Sequence, residues 1–232
     1  MSHLVTVVRV SVKALLVSML VLVPAAAAKG PKPAFADPTT QETFLELKNN
    51  ANGDWDRWRQ EANSDLSDEE QQLGLCLEHL KAAQEPPSAE LARRVETMRA
   101  VVQDAQEMAE QAYGPIIQEL RAMYRSAQQS DQAGYDMHGA RADALIKDAL
   151  AAATARTARL SALEPGYKEL VASVPETWED VGVLRTLLST TVTPTGVKQT
   201  LSGAGPGMLR IDYESLNVLA PYLAQADPGQ PR

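Results

Sequence analysis

An all-α helical bundle is predicted for this chain by three features. Aromatic residues make up only 5% of its 232 residues, so the core must come from Leu, Val, Ala and Met, a set that suits helix packing better than an all-β sandwich. Apolar residues recur at steps of three and four over most of the chain. The longest such stripe runs from about residue 88 to 130 through Leu91, Val95, Met98, Val102, Ala105, Ala109, Ala112, Ile116, Leu120, Met123 and Ala127. A continuous helix over that stretch would be roughly 60 Å long at about 1.5 Å per residue. The fold class is therefore a bundle with one long kinked helix, about 88–130, and a small irregular C-terminal appendage.

Residues 1–28 read as an export signal peptide. Arg9 and Lys13 form a positive start, Ala14 to Val23 is a compact apolar run, and Ala25 to Ala28 supply small residues for cleavage. Ala34-Phe35-Ala36 is a second cleavage site, so the mature chain could begin as late as Asp37. The charge-free run from Ala14 to Ala28 falls short of the roughly 20 residues needed to span a bilayer. Membrane contact is expected only through this leader, were it retained. Residues 29–39, with Pro31, Pro33 and Pro38, read as a linker.

The bundle is expected over residues 40–189. Its first helix, Thr40 to Ala62, carries Phe44, Leu47, Ala51, Trp55, Trp58 and Ala62, with a break foreseen in the weak helix-forming stretch Asn49 to Asp54. Asn63 to Leu66 reads as a turn. Ser67 and Glu70 then form a capping-box pattern for a second helix lined by Leu73, Cys76, Leu77 and Leu80. Pro86-Pro87 ends it, and Ser88 is the expected N-cap of the long helix. Gly114-Pro115 predicts a kink, because the stripe stays in phase across it. Val101, Met108, Ile117 and Tyr124 widen the stripe, so this helix should face two or more partners and not a single coiled-coil mate.

Asp131 to Gly139 reads as a loop, and Ala140 to Leu163, with ten alanines, as a fourth helix ended by Glu164-Pro165-Gly166. Short helices follow over Tyr167 to Val174 and Glu176 to Leu188. Residues 190–232 form a Thr/Gly/Pro-rich segment: a hairpin or loop over Thr190 to Gly207, a short strand over Met208 to Tyr213, and a final helix from Glu214 to Ala224.

Charge and cysteine narrow the function. Loss of the leader removes two basic residues and no acid, taking the formal charge from −8 to −10. Such a chain is not drawn to nucleic acid or anionic membranes, and no basic patch stands out. Cys76 is the only cysteine, which excludes an intrachain disulfide framework and a multi-cysteine zinc site.

No catalytic, cofactor-binding or metal-ligating set emerges. Cys76 and His79 share an i,i+3 spacing, but Cys76 also falls in a leucine stripe, where a thiol acts as a small hydrophobe. His138 reads as a loop histidine beside Asp136. Met98, Met108 and Met123 read as core, and Gly203 to Gly207 as a flexible turn. Trp55 and Trp58 read as core anchors or as part of a partner surface. The expected function is that of a non-enzymatic binding protein of the cell envelope or secreted fraction, periplasmic or extracellular, holding a protein partner on its helix faces. The alternative is a bundle that holds an apolar small molecule or cofactor between helices near the Gly114-Pro115 kink. An enzyme using scattered acids such as Glu119 or Asp136 is the third reading.

Overall fold

The computed structural model describes residues 38–82, 86–174 and 181–223. In chain order, α1 spans Pro38–Asn49, α2 Trp55–Ala82, α3 Pro86–Gln111, α4 Tyr113–Gln128 and α5 Gln132–Ser161. These are followed by α6 Tyr167–Ala172, α7 Val181–Thr186, α8 Pro194–Gly203 and α9 Gly207–Leu223. No strand occurs among the described residues, and none of their helices is long and apolar enough to cross a membrane. The leader, most of the linker, and Trp178 lie outside the described residues.

The long stripe is the centre of the molecule. Leu91, Val95, Met98, Val102, Ala109, Ile116, Leu120 and Met123 are fully buried. Burial of one such aliphatic side chain contributes about 1.5–3 kcal/mol, enough to outweigh the weak local preferences of the polar residues between them. The helix bends where expected. Ala112 leaves the regular helix, while its N–H still reaches the Met108 carbonyl (2.8 Å) and its own carbonyl accepts from Ile116 (3.1 Å). Pro115 has no N–H to offer Gln111, so the ladder is interrupted on one side only, and the result is a kink.

Helix α2 runs antiparallel beside α3, tied by Glu70, which accepts from Arg99 Nε (2.7 Å) and Gln103 Nε2 (3.0 Å). Helix α5 runs antiparallel along both halves of the bent helix, and α9 packs on α1, α4 and α5. The widened stripe thus does meet several partners.

Several boundaries differ from the sequence expectation. Asn63 to Leu66 is not a turn: α2 runs straight through it, because Ala62 and Leu66 extend the buried stripe of Leu73, Cys76 and Leu77. Ser67 is consequently exposed in mid-helix and caps nothing. Ser88 is not an N-cap either. Helix α3 starts at Pro86, since prolines suit a first turn whose N–H groups have no helical partner. Helix α1 starts at Pro38, inside the expected linker.

The expected loop over Asp131 to Gly139 is the first part of α5. Asp131 is its N-cap, with Oδ1 accepting from the Gly134 N–H (3.0 Å). A Cβ on Gly134 would lie 2.2 Å from Asp131 Oδ2, so glycine is what lets the cap close.

The described part of the C-terminal segment, residues 190–223, is helical and holds no hairpin or strand. Thr193 caps α8 by accepting from the Gly196 N–H (2.9 Å), and Pro194 follows at the first position. In α9, Leu209, Asp212, Leu216, Leu219 and Leu223 are buried at steps of three and four, which is helical spacing and not alternation. The described part of the segment is regular and packed into the bundle. All described residues fall in one unit, Pro33–Arg232.

Candidate functional site

Each residue singled out from the sequence has a definite place. Cys76 is fully buried in α2, and burial pushes its thiol up to about 12. His79 is exposed on the same helix, so the two form no pair. Met98 and Met123 are core residues. Trp55 is fully buried and donates its indole N–H to Asp212 Oδ2 (2.6 Å), and Trp58 packs on Tyr113 with ring centroids 5.1 Å apart. The tryptophans therefore anchor the inside of the bundle.

His138 is half-buried on α5 and not on a loop. Its Nδ1 lies 2.6 Å from Glu119 Oε2 on α4, and Arg141 Nη1 is 3.8 Å from Glu119 Oε1. Of the two acids named from the sequence, Glu119 thus finds a histidine, while exposed Asp136 only accepts from the Gln132 side chain. A carboxylate on Nδ1 fixes the orientation of an imidazole. Among the described residues no group of three or more His, Cys, Asp and Glu side chains is placed to hold a metal ion.

A concavity opens beside the kink. It is a cleft of about 490 Å³ between α5 and the α8–α9 junction, with Leu66, Ala105 and Tyr113 forming its inner wall. Ala204 to Gly207, where α8 passes into α9, also line it. Tyr113 donates its hydroxyl to the Ala204 carbonyl (2.9 Å), pinning that stretch to the bend. Burial raises the Tyr113 phenol to about 12, against a smaller opposing pull from Arg156, so it stays a neutral donor at physiological pH.

Arg156 lies in this cleft and is only 5% exposed. Its Nε donates to Asp104 Oδ2 (2.7 Å) and its Nη2 to the Asp104 carbonyl (3.2 Å). Both terminal nitrogens also lie 3.5 Å from Met108 Sδ. Thr154, Thr157, Ser161 and Ser202 add hydroxyls to a lining otherwise of small and apolar residues.

Sequence reasoning did not single out Arg156. The missed signal is its register: with Ala149 seven residues before it and Leu160 four after, it occupies the buried stripe of α5.

No protein-family model, curated protein or solved structure matches the chain.

Proposed function

We propose that this is an exported, non-enzymatic binding protein of the cell envelope or secreted fraction, and that it holds an apolar small molecule in the cleft beside the Gly114-Pro115 kink. One observation carries the reading: a cleft of about 490 Å³, lined mainly by small and apolar side chains, where the long helix bends against α8 and α9. Its volume falls within the range of about 300–1,000 Å³ usual for small-molecule sites, and a few convergent polar groups on an apolar wall are typical of them. Export rests on the charged start, apolar run and small-residue cleavage sites of residues 1–36.

Native mass spectrometry of the protein purified from its own exporting host tests both parts. The expected spectrum shows a chain cut after Ala28 or Ala36 that carries a non-covalent small-molecule adduct. An uncut chain overturns export, and a bare chain at every step of gentle purification overturns the ligand.

A protein partner on a helix face is the second reading. It is favoured by Ile211 and Val218, which stand two helical turns apart on α9 and are 64% and 70% exposed. Here the same spectrum would show a stable protein adduct, and an Ile211→Glu, Val218→Glu double variant would abolish it.

A further inference from the structure

We infer that the cleft takes an amphiphile with an anionic head, a fatty carboxylate in chemical class, and that Arg156 receives the head. The inference rests on the cleft being a ligand site. Arg156 is the one charged residue among those that line it. A structural tie between α3 and α5 needs only Nε and Nη2, and those are the atoms that Asp104 engages. Nη1 carries two further N–H groups, and the partner the structure gives it is the Met108 thioether at 3.5 Å. A thioether is a weak acceptor. A buried guanidinium with unfilled donors is costly, and a second oxygen acceptor on the Nη1 side would complete it.

The geometry suits a carboxylate. Asp104 holds the Nε–Nη2 edge of the rigid planar guanidinium and Met108 Sδ lies 3.5 Å from both Nη1 and Nη2, so the position left for a ligand is the remaining N–H of Nη1, which one carboxylate oxygen can accept from. Leu66, Ala105, Leu150 and Leu201, which also line the cleft, offer apolar surface to an alkyl tail. The chain's net charge of −8 repels anions at long range, so the preference must arise from contact inside the cleft, where hydrogen bonds to a charged group are roughly twice as strong as neutral ones.

Replacing Arg156 removes the α3–α5 tie and can unfold the bundle, so the deciding comparison uses the wild-type chain. Decanoate and decanol are titrated into it by calorimetry, and both titrations are repeated on Thr157→Trp, which places a bulky ring in the cleft from an exposed position. The expected result is that decanoate binds about tenfold or more tightly than decanol, and that the tryptophan variant, folded by circular dichroism, loses both. Equal binding of the two probes overturns the anionic head and leaves the apolar cleft standing. Binding of neither probe overturns the cleft as an apolar-ligand site. Decanoate preference that survives in Thr157→Trp places the anion elsewhere and overturns the role of Arg156.

Discussion

Gly53 holds the sharpest local constraint. Its φ of 154° lies in a region that L-residues rarely adopt, and it sits in the π-helical stretch Asn50–Asp54 where α1 turns into α2. A Cβ there would meet nothing within 4 Å, so the whole effect of substitution is backbone strain. Gly53→Ala is expected to destabilise by about 1–2 kcal/mol in urea unfolding. Gly203→Ala also meets nothing, but in ordinary helical backbone, and should be neutral or stabilising by up to about 1 kcal/mol. Asp212 is the polar counterpart. It is buried, accepts from Trp55 Nε1 (2.6 Å) and Asn50 Nδ2 (3.2 Å), and is held above its usual 3.8 by burial, which those hydrogen bonds partly offset. Asp212→Ala should cost about 1–3 kcal/mol by leaving the indole N–H unpaired, whereas Asp212→Asn keeps an acceptor and should cost less. The raised carboxyl makes the folded state bind its proton more tightly. Its contribution to stability is therefore full below pH 3.8 and lost as pH rises through the folded value. Asp212→Asn should abolish that part of the acid-side pH dependence, as denaturant midpoints across pH 3–7 would check. Gly53 shows in the sequence only through the weak helix-forming composition around it, and Asp212 not at all, because its partners Asn50 and Trp55 come from a distant segment.

Helices were legible wherever their apolar stripe was long. The stripes of α3 and α4 were read correctly, and so was the kink, since proline removes a backbone donor wherever it stands, whereas α2 was cut in two by the turn expected over Asn63 to Leu66 and the start of α5 was read as a loop. Boundaries failed where a single residue type has two local meanings. Asp131 and Thr193 were read as loop residues and are N-caps, and Ser67 and Ser88 were read as caps and lie inside helices. A cap differs from an interior polar residue only by whether the preceding chain stays on a buried stripe, and packing decides that. The largest misreading was α9. If it is as integral as its burial indicates, Leu209→Ala should destabilise by about 2–5 kcal/mol, comparable to Leu91→Ala in α3, with a single transition shared by fluorescence and circular dichroism. A loss under 1 kcal/mol for Leu209→Ala would make α9 an appendage after all.

At the scale of the whole molecule, buried acidic side chains should make the fold lose stability in alkali. Cys76 rises from 9.0 to about 12 and Tyr113 from 10.0 to about 12, each through burial. Both are neutral acids held protonated by the fold, so the stability they contribute is complete below their unfolded values and is lost as pH climbs toward the folded ones. Denaturant midpoints should begin to fall near pH 9, and in Cys76→Ala the fall should start near pH 10. An unchanged onset in the variant would mean that the thiol is not sealed in. The candidate site belongs to this level too. Residues that line or pin the cleft come from α2, α3, α5, the kink and the α8–α9 junction, and the pairs Arg156–Asp104 and Tyr113–Ala204 join positions 52 and 91 residues apart. Fold class, the position of the bend and the burial of Cys76 follow from periodicity and from backbone chemistry within a few residues, so they could be read along the chain. The meeting of Glu119 with His138 and the enclosure of Arg156 depend on which helix faces which. Those choices are made by the packing of apolar faces across the bundle, which no local spacing encodes.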